Sequence, residues 1–248
     1  GIVNGIDVEY WQDEVYRNAN SRNILDIKKK KKLELIKRIK ELTGKELDVE
    51  KMIISMPRRI AYQKGFEEII PVIPEMIKLG AQFIVLGKHH PNDGYGKYLA
   101  DKFRELHQNY KEFVFIYGFD EELAKLMYAG SDLLLYPSLP NKEPCGTGYM
   151  MALVNATPTL GTKTGGLDEV LCEFDEVSLK GNAFLVWEDE YREFGGKAFL
   201  NKFYKIVEIY KDKSKWKKLL MNCLKSEDIV DMRNCVLKYI NHIYLKLL

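Results

Sequence analysis

Six short runs without a single charged residue recur along this chain, separated by stretches of helical period, and this alternation limits its fold more than any other feature. The runs are Met52–Ser55, Phe83–Leu86, Phe113–Tyr117, Leu133–Tyr136, Thr159–Gly161 and Phe184–Trp187. Runs of this kind are strands covered on both faces. Between them, Ile69, Val72, Ile73 and Met76 share a helical face, as do Leu99, Phe103 and Leu106, and Leu123, Leu126 and Met127. Regular strand–helix alternation predicts the α/β class, with a doubly wound, Rossmann-like parallel sheet. Ligands in such sheets bind outside the carboxyl ends of the strands. A site is therefore expected on the loops after Ser55, Leu86, Tyr117, Tyr136 and Gly161.

The flanks differ. Gly1 to Asp26 is polar and turn-rich, and Lys28 to Lys32 is a run of five lysines leading into Leu35, Ile36, Ile39 and Leu42. This predicts an amphipathic helix whose lysines form a solvated face, with an anionic surface as the alternative. After Trp187 the pattern is mainly helical. The final segment, Ile229 to Leu248, carries Val236, Leu237, Ile240, Ile243, Tyr244 and Leu247 on several sides, so it must pack on something. Two units are expected: a Rossmann-like domain over 1–228 and a closing helix over 229–248. The chain starts with glycine and no signal peptide precedes it, which predicts a missing N-terminal part.

Composition narrows the partners. Of 248 residues, 46% are hydrophobic and 30% charged, the balance of a globular chain. A net charge of +2 argues against a nucleic-acid partner, which calls for a basic excess. No membrane partner is expected either: the longest uncharged stretch, Pro144 to Thr162, is interrupted by Gly146, Gly148, Asn155, Pro158 and Gly161. Cys145, Cys172, Cys223 and Cys235 form no Cys-x-x-Cys pair, so free thiols in a reducing cytoplasm are the simple reading. Adjacent His89 and His90 seldom converge on one ion, and no metal is expected.

Four constellations fall on the expected loops. Arg59 and Lys64 lie five apart where a loop opens a helix; they can converge on a phosphate or diphosphate, or simply be exposed cations. Glu143-Pro-Cys-Gly146 enters the helix through Leu153. The carboxylate there can accept sugar hydroxyls or complement the helix N-terminus, and Cys145 reads as a small packed residue. Thr164-Gly165-Gly166-Leu167 offers close backbone approach and free N–H groups, or an ordinary turn. Asp120 reads as an N-cap. Phe119 before it could stack on a base or belong to the core.

Taken in order, Asn4-Gly-Ile-Asp7 with Trp11, Arg59-x-x-x-x-Lys64-Gly65, Tyr128-Ala-Gly-Ser-Asp132, Pro137-Ser138, Glu143-Pro-Cys-Gly146 and Thr164-Gly-Gly-Leu167 resemble the C-terminal half of glycogen and starch synthases. These are retaining glucosyltransferases of the two-Rossmann-domain (GT-B) type. The resemblance implies that Arg59 and Lys64 hold the diphosphate of ADP- or UDP-glucose and that Glu143 binds the donor glucose. Cys145, Gly146, Thr164, Gly165, Gly166 and Leu167 would line the donor, Phe119 would stack on the base, and Asn4 would face the sugar. The implied partners are a nucleotide-sugar donor, an α-glucan acceptor and the missing N-terminal domain. A glutamate that related transferases carry eight positions after the first is replaced here by Met151, which leaves ribose recognition open.

Arg58 to Lys64, Gly87-Lys-His-His-Pro-Asn-Asp93 and Gly146-Thr-Gly-Tyr-Met150 also resemble α-glucan phosphorylases, which carry pyridoxal phosphate on the lysine after that last motif. Here that residue is Met151, which cannot form a Schiff base. No cofactor is therefore expected. The departure at Gly87 to Asp93 implies a divergent, archaeal-like synthase branch.

Overall fold

A computed structural model of the chain describes residues 1–246. Its centre is one all-parallel sheet: β1 (Met52–Pro57), β2 (Ala81–Gly87), β3 (Phe113–Tyr117), β4 (Leu133–Tyr136), β5 (Thr159–Thr162) and β6 (Ala183–Val186). The order is β3-β2-β1-β4-β5-β6. The chain winds outward from β1 through β2 to β3, then returns to start β4 on the other side of β1. That reversal opens a crevice at the carboxyl ends of β1 and β4, where doubly wound sheets bind ligands.

All six expected strands are present, each within a few residues of its apolar run. Trp187 is the exception: it precedes the helix Glu188–Phe194, and its backbone N–H is capped by Glu190 at 2.8 Å. The helices cover both faces. Leu99, Phe103 and Leu106 are buried on the helix Gly94–Asn109, and Leu123 and Met127 on Glu121–Gly130. Ile69, Val72, Ile73 and Met76 are buried too, but on three short pieces, Phe66–Ile69, Ile70–Val72 and Ile73–Lys78. Pro71 and Pro74 cannot donate to a continuous helix, so the segment turns by pieces.

The lysine run corrects the solvated-face expectation. It lies inside the helix Ile24–Thr43, where Lys28 and Lys32 are each 3% exposed. Lys28 donates to Ala129 O at 3.0 Å and Asn155 O at 3.1 Å, and also to Thr157 Oγ1. Lys32 pairs with Asp132 at 2.7 Å. Residues 28, 32, 35 and 39 share one face, so two lysines continue the buried stripe of Leu35 and Ile39. Lys29 and Lys30 face outward, while Lys31 is largely covered and pairs with Asp13 at 2.7 Å and Glu34 at 2.6 Å.

The final segment is likewise divided. A short helix, Glu227–Val230, ends at Asp231, whose extended backbone pairs with Ile6 as a parallel bridge. Ile6 N donates to Val230 O at 2.8 Å and Met232 N to Ile6 O at 2.9 Å. The helix Met232–His242 then leaves Val236 and Leu237 about half exposed, with Ile240, Ile243 and Tyr244 exposed beside them. Leu247, counted with this face, lies outside the described residues. Among the described residues no helix is long and apolar enough to cross a membrane.

Candidate active site

The loop after β1 continues along the end of β2. Arg58 N donates to Leu86 O at 2.9 Å and Ile60 N to Lys88 O at 3.0 Å. The approach is so close that a Cβ on Gly87 would stand 2.2 Å from Arg58 O. Arg58 then turns its guanidinium over the Tyr136 ring at 3.6 Å and donates to Ser138 Oγ at 3.1 Å. Its Nη2 lies 3.4 Å from Glu143 Oε2, while Nε and Nη1 are buried without a partner.

Lys64 ends a single 3₁₀ turn, Tyr62–Lys64, and Gly65 follows with φ +67°. A Cβ on Gly65 would fall 1.7 Å from Pro137 O, so only glycine lets this turn dock on the loop after β4. Docking joins the Lys64 ammonium to Glu143. Burial and the Arg58 charge lower the Lys64 pKa, and Glu143 opposes both. One carboxylate thus faces two largely buried cations at the carboxyl ends of β1 and β4.

Glu143 does not open the following helix. That helix is Gly148–Leu153, five residues on, so the carboxylate complements the cations and not the helix terminus. Between them, Gly146 passes under Tyr136, whose hydroxyl would meet a Cβ at 2.1 Å. Gly165, at φ +52°, packs against the carbonyls of Glu143 and Pro144, and Gly166 N donates to Pro144 O at 2.9 Å. The glycine pair therefore braces the Glu143 loop from behind. Thr164 is buried and its hydroxyl accepts from Asn141 N at 3.1 Å. Leu167 is fully buried, so its side chain serves the core, and its N–H bonds Thr164 O at 3.1 Å.

Two cavities meet here. One of about 450 Å³ is bordered by Arg59, Lys64, Cys145, Gly146, Met151 and Trp11. The other, about 550 Å³, runs between Arg59 and the Gly87–Pro91 loop. Phe119 lines both, 77% exposed, so it is not core. Asp120 behind it caps the next helix through Leu123 N at 2.9 Å, as expected. Arg59 is exposed and lines both cavities. Asn4 is exposed and borders neither, although its neighbour Val3 reaches Gly166. Arg58 and Ser138 fall within motifs quoted from the sequence but were given no role there, and Tyr136 stood only as the end of a strand run. The adjacent arginines Arg58 and Arg59 and the Pro137-Ser138 pair were the available signals.

Residues 37–194 match the profile of the family described as "Glycosyl transferases group 1". The chain belongs to this family. As a group 1 glycosyl transferase it is 34% identical over 232 residues to "Glycogen synthase" from Thermodesulfovibrio yellowstonii, covering 92% of this chain and 42% of the relative. It is also 34% identical over 231 residues to "Glycogen synthase" from Bacillus cereus, covering 92% and 45%. Its fold is similar to the catalytic domain of starch synthase IV from Arabidopsis thaliana, solved bound to ADP and acarbose. The TM-score is 0.68 at 25% identity, covering 90% of this chain and 44% of that one. This group 1 glycosyl transferase chain spans less than half the length of these relatives.

Proposed function

We propose that the chain is the donor-binding half of a glycogen-synthase-like retaining glucosyltransferase. The whole enzyme would move glucose from ADP- or UDP-glucose to the non-reducing end of an α-1,4-glucan. One observation carries the reading: Arg58, Arg59 and Lys64 gather with Glu143 at the β1/β4 crevice of a group 1 glycosyl transferase. As the glycosidic bond breaks, negative charge develops on the leaving diphosphate. Fixed cations at that place stabilise it without reorganisation. The unpaired Nε and Nη1 of Arg58 are consistent with a site that awaits an anion. Glu143 would accept hydroxyls of the donor glucose, and the Phe119 ring, exposed beside the larger cavity, would stack on the base. Gly165 and Gly166 would act on the donor through the Glu143 loop that they brace, since the Gly166 N–H is already bonded to Pro144 O.

No general base for the acceptor lies among these residues, so the other half or the leaving phosphate takes the proton. The isolated chain then binds nucleotide without transferring glucose, because water exclusion and acceptor placement come from closure of two halves. The exposed apolar face of Met232–His242 supports a packing role for 229–248 on that other half, with 1–228 as the donor-binding unit. A cytoplasmic location, suited to the four free cysteines, belongs to the same proposal.

The test is calorimetry with ADP and UDP. Arg59→Ala and Lys64→Ala should each weaken binding by about 1.5–3 kcal/mol, the worth of a hydrogen bond to a charged group. Unchanged affinity in both variants would refute the site.

A further inference from the structure

On the far side of the Tyr62–Lys64 turn lies a third cavity of about 530 Å³, which the donor reading does not use. Its size is within the roughly 300–1,000 Å³ of small-molecule sites. Three tyrosines line it: Tyr62, Tyr95 and Tyr191. Tyr62 is 56% exposed and meets Tyr95 edge-on at 5.6 Å. Among the described residues no cation lies over any of these three rings, whereas Lys125 covers Tyr10 in a similar hollow at 3.6 Å.

The polar groups around the rings are already organised. Glu67 accepts from the Tyr95 hydroxyl, and Glu68 from Gly196 N at 3.2 Å. Glu188 accepts from Arg192 at 2.5 Å and from Asn141 Nδ2 at 3.2 Å. Asn141 holds a left-handed backbone, φ 60°, pinned by Thr164, and it lends the cavity an amide whose Oδ1 has no donor among the described residues. Glu67 and Glu68 accept from neutral donors, and Lys142 and Arg192 border the cavity beside them and Glu188, so its charges are mixed in sign and single out neither an organic cation nor an anion. A neutral polyhydroxylated ligand finds apolar ring faces together with spare carboxylate and amide lone pairs.

We propose that this cavity is a second carbohydrate site, separate from the donor crevice, that holds a stretch of α-linked glucan. The choice of an α-glucan rests on the reading given above. Position favours it: Leu139 to Lys142 border this cavity while Glu143, next in the chain, faces the donor crevice. Leu139 N bonds Gln63 O at 3.1 Å, so the two sites lie back to back on the same two loops. A polymer held here would keep its free ends close to the enzyme between transfers.

The experiment titrates the chain with maltoheptaose, and in parallel with ADP, UDP and cellohexaose. Maltoheptaose should bind. Tyr62→Ala should weaken it at least tenfold and Asn141→Gly, which keeps the left-handed backbone, severalfold. Tyr62→Phe should keep the ring and the affinity, and none of the three should alter ADP binding. Equal maltoheptaose affinity in Tyr62→Ala and wild type overturns the proposal, as does cellohexaose bound equally well. Tyr62-dependent maltoheptaose binding in a chain that binds neither ADP nor UDP upholds this site and refutes the donor reading.

Discussion

Asp132→Ala should be among the most damaging single changes in the molecule, though it lies at the end of the sheet remote from the crevice. Asp132 Oδ2 accepts from Lys32 at 2.7 Å and from Ile53 N at 2.8 Å, with both charged side chains no more than 5% exposed. It joins the helix Ile24–Thr43 to the starts of β1 and β4. Removing the carboxylate strands a buried ammonium and a buried amide donor. Breaking one side of a buried pair costs about 3–5 kcal/mol. Lys32 keeps Lys51 O and the Tyr210 hydroxyl, the latter at 3.3 Å, which holds the loss near the middle of that range. A loss of about 4 kcal/mol should lower the melting temperature by roughly 8–16 °C in a chain this long. Urea denaturation with unchanged m-value is the assay. The double variant Lys32→Met, Asp132→Asn removes both charges yet leaves an acceptor for Ile53, and should lie within about 1.5 kcal/mol of wild type. A loss below about 1 kcal/mol in Asp132→Ala, or a double variant as weak as the sum of its singles, refutes the argument.

Burial pushes the Lys28 pKa down from 10.5 to about 7. Between those values the unfolded chain binds a proton that the folded chain does not, so this lysine makes stability rise with pH, by up to about 1.4 kcal/mol per unit. Below pH 7 its penalty is fully present. Lys28→Met should therefore gain most over wild type near neutral pH and least near pH 10, read from urea midpoints; a pH-independent difference would count against the neutral lysine. With Met151 in the place of a Schiff-base lysine, the purified protein should show no pyridoxal absorbance and take up no label from borohydride; a pyridoxyl adduct would revive the phosphorylase reading.

The strands were legible because β1 to β6 are nearly continuous apolar runs, which few other structures can bury. The crevice was legible because a parallel sheet fixes where its loops gather. The buried lysines were missed for a physical reason. Five consecutive lysines look solvated, and only the spacing of 28 and 32 to Leu35 and Ile39 betrays two of them. Arg58 was passed over because its role depends on Tyr136 and Ser138, about eighty residues on, which sequence spacing cannot bring into view. The break at Asp231 was hidden likewise, since its bridge partner is Ile6.

That bridge has a mechanical consequence. Ile6 and Asp231 run parallel, so a pull on the first residues against the last loads their two hydrogen bonds in shear and together. Tension between the ends is spent on this clasp before any of the six strands feels it. Gly5 tightens it further, since a Cβ there would collide with Met232 at 2.5 Å. Any displacement of the segment before Val8 is thus handed directly to the start of the helix Met232–His242, and the two segments move together.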